Sequence, residues 1–157
     1  MMSQRIDFFS AAPQGLQQML NLEQYIGSCA ERGSLNNTLI TLIKLRVSQI
    51  NGCAYCIDMH TKEAKAAGET EQRLHLLCAW RETSFYSQQE RAALAWAEAN
   101  TLIAENNIDD DLYQATHQQF SESQMVDLTL VICTINSWNR LAISFRSEPG
   151  SYQPGGH

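Results

Sequence analysis

The stretch Asn51-Gly52-Cys53-Ala54-Tyr55-Cys56-Ile57-Asp58-Met59-His60 places two thiols and an imidazole at offsets of three and seven residues. On an α-helix, at about 100° per residue, those offsets bring the three side chains within roughly 60° of one another around the axis. A helix makes Cys53, Cys56 and His60 a single reactive face. Asn51 and Gly52 supply an N-cap and a turn immediately upstream. The thiols are therefore expected in the first turns of the helix, where unpaired backbone N–H groups favour a thiolate. A thioredoxin-type fold would also explain the pair, but it needs a strand before the motif and a βαβ pattern around it, and neither is visible.

Outward from the motif the periodicity is helical. Upstream, Leu16, Met19, Leu20, Leu22, Tyr25 and Ile26 form one amphipathic stripe, and Leu39, Ile40, Ile43, Val47 and Ile50 form a second that runs into the cysteine turn. Downstream, Gly68 is a natural stop for the cysteine helix, and Thr70 caps a short helix through Trp80. Ser87 with Glu90 and Ser121 with Gln124 are capping boxes. The first opens a helix toward Ala104 and the second a long helix to about Phe145, with a short helix at Asp109 to His117 between them. The long helix carries a wide apolar face of Leu128, Val131, Ile132, Ile135, Trp138, Leu141 and Ala142, suggesting burial against its own core and a neighbour. Val126 to Ile135 could pass for a strand by propensity, but length and the upstream cap favour helix. The expected architecture is an all-α bundle over residues 1–146, followed by a flexible tail at 147–157 rich in proline and glycine, in which His157 has no assigned role.

A chain of 157 residues and 17.7 kDa suits one domain. A net charge of -6 without any basic cluster argues against a nucleic-acid surface. No apolar run approaches the roughly 18 residues of a membrane span, and Met1 to Ser10 lacks a signal-peptide pattern. A soluble, cytoplasmic protein with no membrane partner is expected. Five cysteines is an odd number for a disulfide framework. Cys29, Cys78 and Cys133, each alone in apolar surroundings, read as small buried hydrophobes.

Two cysteines three residues apart at a helix start interconvert between dithiol and disulfide with little backbone motion, and the second sulfur can resolve a sulfenic acid on the first. This is peroxidase or disulfide-reductase chemistry. His60 is placed to accept the thiol proton or to hold the thiolate as an ion pair. A zinc site would use the same three side chains, but the fourth ligand is undefined and no second Cys-x-x-Cys or His-x-x-x-His exists. No metal or other cofactor is expected. Glu98, in an otherwise apolar helix, is a candidate proton acceptor, with Tyr55 behind it as a possible relay hydroxyl. Asp58 lies around the helix from the thiols and reads as solvated. His75 and His117 read as surface residues.

The run from Leu42 through Arg46, Asn51, Cys53, Cys56 and His60 strongly resembles the alkylhydroperoxidase AhpD-like, carboxymuconolactone decarboxylase superfamily. Gly68 to Arg73, Ala79 to Thr83, Glu90 to Leu94 and Ile135 to Leu141 look like one branch of it, so the resemblance covers most of residues 16–145. It implies a helical fold assembling into homotrimers or homohexamers, and reduction of organic hydroperoxides through a cysteine sulfenate and an intramolecular disulfide. By position, Cys56 looks like the peroxidatic cysteine, Cys53 its partner and His60 the relay histidine. The helix dipole alone would favour Cys53 as the thiolate. The resemblance also implies recycling by a lipoyl-type or other dithiol donor. Two positions depart from the mycobacterial-type enzymes of the family. Their glutamate twelve residues before the first cysteine is Thr41 here, and their histidine just before the second cysteine is Tyr55. Glu98 is the substitute expected from sequence. A redox sensor or a non-catalytic binding member is the alternative, and a decarboxylase, which has no use for two thiols, a distant third.

Overall fold

A computed structural model describes residues 3–155. Eight α-helices and one 3₁₀ segment make up the regular structure, with no strand among the described residues. They are α1 (Phe8–Ala11), α2 (Pro13–Gly27), α3 (Asn37–Asn51), α4 (Ala54–Ala66), α5 (Glu71–Leu76) with the 3₁₀ turn Leu77–Glu82, α6 (Gln88–Thr101), α7 (Asp110–His117) and α8 (Glu122–Phe145). The all-helical reading holds, including Val126 to Ile135, which lies inside α8.

α3 is the centre of the bundle, packed against α4, α6 and α8. Its buried residues are Leu39, Ile40, Leu42, Ile43, Leu45, Val47 and Ser48, more than the single stripe expected from periodicity. A helix covered on several sides can be apolar on several faces. Opposite it, Leu128, Val131, Ile132 and Ile135 of α8 and Ala93, Leu94 and Ala97 of α6 complete the core. α2 is less covered than its pattern suggested, since only Leu16 and Ile26 are buried and Leu20 and Tyr25 are exposed.

Both capping boxes form, at Ser87 with Glu90 and at Ser121 with Gln124. α6 stops at Thr101, short of Ala104. α1 has no counterpart in the sequence reading. It is a single turn capped by Asp7, which places Phe8 near Phe145 (5.9 Å between ring centroids) and Phe9 near Trp138 (6.1 Å). Among the described residues no helix is long and apolar enough to cross a membrane. Cys29 is buried as expected, whereas Cys78 and Cys133 are exposed, because the 3₁₀ turn and the outward face of α8 turn them away from the core.

Candidate active site

The thiols sit where α3 ends and α4 begins, and the local register differs from the expected one by two residues. Asn51 is the last residue of α3 and not the cap of α4. Gly52 follows in the left-handed region (φ 69°), a conformation that costs any residue with a Cβ, and reverses the chain. Cys53 itself is the N-cap of α4, its sulfur accepting the Cys56 backbone N–H at 3.3 Å. The thiols are thus even closer to the helix N-terminus than the sequence suggested.

A polar network holds this corner against α8. The Asn51 side-chain amide donates to Asn136 (3.0 Å) and to Asn139 (2.9 Å), and Asn139 donates to Ser48 Oγ (3.1 Å). Asn139 and Ser48 are buried, where a lost partner would leave a stranded polar group. This network accounts for the asparagines of the Ile135 to Leu141 run, which join the end of α3 to the interior of α8.

Cys53 and Cys56 have Cα atoms 5.3 Å apart and sulfurs at disulfide-bonding distance. Both are almost fully buried, and His60, one turn on, is 6% exposed. Cys56 and His60 line a cavity of about 590 Å³, together with Tyr55, Met59 and Glu63 of α4, Lys44 of α3 and Glu23 of α2. Its apolar wall comes from Phe8, Phe9, Leu20, Ile135 and Trp138. Cys53 is not among the lining residues, so of the two cysteines Cys56 is the one that borders the cavity.

His60 Nδ1 is 2.7 Å from Glu63 Oε2. An ionised carboxylate only accepts, so Nδ1 carries the proton and Nε2 keeps its lone pair in the neutral ring. Nε2 makes no hydrogen bond among the described residues and is not among the sealed-off polar atoms, so it opens to the cavity. Burial works to raise the Glu63 pKa, but the His60 hydrogen bond and charge, the Tyr152 hydroxyl and the Lys44 charge outweigh it and hold the carboxyl below its ordinary range. Tyr152 donates to Glu63 Oε1 at 2.8 Å, and burial together with that carboxylate pushes its own pKa up to about 12.

The cavity brings together Cys56, His60 and Tyr55, with Cys53 directly behind. It does not include Glu98. That carboxylate, 14% exposed, accepts from Arg46 Nε (2.9 Å), Trp80 Nε1 (2.9 Å) and Arg81, and lines a separate hollow with Arg46 and Trp80. Burial raises its pKa and these donors lower it more, leaving it below the ordinary value. Glu98 is thus committed to two guanidinium groups, the arrangement that lets a carboxylate sit inside an apolar helix. Thr41 also faces elsewhere, its hydroxyl bonded to Asn37 O (2.9 Å). Asp58 is not simply solvated. It is half-buried and accepts from Lys62 (2.8 Å) and from the backbone N–H of Gly150 (2.9 Å).

Sequence reasoning missed Glu63, Glu23, Lys44 and Tyr152. Glu63 had a readable signal, three residues beyond His60 on the same helix face. The Glu23 carboxylate takes Lys44 (2.6 Å) and Trp138 Nε1 (3.0 Å), groups from three helices that no local pattern connects.

The sequence pattern of the carboxymuconolactone decarboxylase family matches residues 13–99. The chain is 47% identical over 150 residues to the uncharacterized protein YdfG of Bacillus subtilis, covering 96% of this chain and 99% of that one. Among solved structures, a protein from Agrobacterium tumefaciens of unknown function, described as a candidate antioxidant defence protein AhpD, superposes with a TM-score of 0.89. The two are 41% identical, over 96% of this chain and all of the other. The debrominase Bmp8 has the same fold at 21% identity, with a TM-score of 0.79 over 91% of this chain and 75% of its own. The chain therefore belongs to the carboxymuconolactone decarboxylase family, within the AhpD-like superfamily.

Proposed function

We propose that the protein is a thiol-dependent hydroperoxide reductase of the AhpD type, working in the cytoplasm as a homo-oligomer without metal or flavin. The observation that carries this reading is the shared cavity of Cys56 and His60, with the Cys53 sulfur at bonding distance behind them. His60 Nε2 takes the Cys56 thiol proton, and Glu63 steadies the imidazolium through Nδ1. The Cys56 thiolate attacks the terminal oxygen of ROOH and the O–O bond breaks. The leaving alkoxide takes the proton back from His60 and departs as ROH, while Cys56 becomes a sulfenic acid. Cys53 then attacks the Cys56 sulfur, forming the disulfide and releasing hydroxide, which combines with the Cys53 proton as water.

Two electrons from a dithiol donor of the lipoyl type complete the cycle. One donor thiolate attacks Cys56, the sulfur at the cavity, and Cys53 leaves as a thiolate accepting the Cys56 N–H at the helix start. The second donor thiol closes the donor's own disulfide and releases Cys56. Cavity access thus favours Cys56 for attack, as the resemblance implied, and the helix N-terminus favours Cys53 as leaving group, so the resemblance and the dipole argument, which conflicted in the sequence, are given different roles. Tyr55 lies beside the thiols as a cavity wall.

The test is consumption of tert-butyl hydroperoxide with dihydrolipoamide as reductant, in wild type, Cys56→Ser and Cys53→Ser. Many turnovers per subunit, abolished by either substitution, are expected. One stoichiometric oxidation without turnover would instead identify a redox sensor.

A further inference from the structure

The segment after α8, expected to be a flexible tail, runs back across α4 and closes one side of the cavity with Ser147, Glu148 and Ser151. It is tied down by residues 58, 62 and 63 of one helix face. Lys62 Nζ donates to the carbonyl oxygens of Gly150 and Tyr152, both at 3.1 Å, and to Asp58 at 2.8 Å. Asp58 in turn accepts the Gly150 N–H at 2.9 Å. Gly150 sits at φ 103°, a backbone conformation open to glycine, and this bend is what brings the next residues onto α4. The result is a half-buried Tyr152 whose hydroxyl donates to the Glu63 oxygen not used by His60.

We propose that Tyr152 is a positioning residue for the thiol site, acting through Glu63 to hold His60 in the Nδ1–H tautomer with Nε2 turned to the cavity. This rests on the reading of Cys56 and His60 as a reactive pair. Glu63 on α4 is long enough to adopt several rotamers, and a carboxylate bonded on one oxygen alone can rotate away from the ring. With Tyr152 on Oε1 and His60 on Oε2, both oxygens are engaged and the rotamer is fixed. Asp7, Glu23, Lys44 and Glu148 are the other charged groups lining the cavity, and none of them hydrogen-bonds Glu63 or His60 among the described residues. The C-terminal segment is thus part of the site, and the salt bridge of Lys62 with Asp58 is its anchor.

The experiment uses the reduced full-length protein, with iodoacetamide alkylation of Cys56 followed peptide by peptide by mass spectrometry so that exposed Cys78 and Cys133 do not interfere. Tyr152→Phe keeps the ring and removes the hydroxyl. We expect Cys56 alkylation at pH 7 to fall about fivefold, the order of one lost hydrogen bond to a charged group acting through a second residue. The ¹⁵N shifts of the His60 ring, assigned with His60→Asn, should move from a single tautomer toward a mixture. In a Glu63→Gln background the same Tyr152→Phe substitution should change neither reading. An unchanged rate and His60 spectrum in Tyr152→Phe, with an intact circular dichroism spectrum, overturns the proposal. So does an effect of equal size in the Glu63→Gln background. Neither readout needs peroxide turnover. A protein that fails to consume hydroperoxide but shows the coupled Tyr152 and Glu63 effect loses the proposed activity and keeps this inference.

Discussion

At the scale of single residues, their partners separate two helical glutamates. Glu63 lies between Lys62 and Lys65 on α4 and Glu98 among the alanines of α6, and one supports an imidazole while the other pairs with two guanidinium groups. Glu98→Gln is therefore expected to act on stability. Removing a charge from a pair that is only 14% and 16% exposed, Glu98 with Arg46, should cost about 2 kcal/mol in urea unfolding, somewhat below the loss of a whole buried partner. The pH dependence follows from the lowered pKa of Glu98. Its stabilising effect is complete above the unfolded value near 4.5 and is lost as the pH falls through the folded value. The Gln variant should consequently lose less stability than wild type below pH 4.5, measured by unfolding curves across that range. Wild-type acid sensitivity in the variant would show that Glu98 is not the group responsible.

At the scale of elements, the α3 to α4 junction decides where the thiols point. Gly52 in the left-handed region ends α3, and Cys53 caps α4 in the position that Ser or Asp would ordinarily hold. Nothing lies within 4 Å of a Cβ built on Gly52, so space does not forbid alanine there. The backbone conformation does, at about 1 kcal/mol. Gly52→Ala should lower the unfolding free energy in urea by that amount, and a variant as stable as wild type would mean that the turn relaxes. The cap positions around this junction were readable to within two residues, because Asn and Gly both signal a turn but do not say which helix each belongs to. The polar network of Asn51, Asn136, Asn139 and Ser48 was not readable, since its members are 85 or more residues apart across α3 and α8.

At the scale of the molecule, α3 is enclosed by its own chain, while α2 and α8 keep large apolar side chains exposed, including Leu20, Val126 and Ile143. On α8, Val126 and Ile143 are the side chains to test as part of the interface of the proposed homo-oligomer. We expect sedimentation equilibrium to give a mass that is a multiple of 17.7 kDa, in line with the proposed trimer or hexamer. Val126→Glu, at a residue 60% exposed, is a probe of that surface and should shift the mass toward the monomer if α8 takes part. A monomeric wild type would remove the homo-oligomer from the proposal without touching the thiol chemistry.

What the sequence determined by itself was local. Helical periodicity, two capping boxes and the offsets of Cys53, Cys56 and His60 depend on neighbours within a turn or two, and there the backbone geometry is the same in any fold. Family membership also followed, because those residues occur together in one continuous run. Only the tertiary structure decided which carboxylate meets His60, which cysteine borders the cavity, and that residues 150–152 return to α4. Each of these depends on side chains from distant segments meeting in space. A hydrogen bond of 2.8 Å between Tyr152 and Glu63, 89 residues apart, leaves no periodic trace along the chain.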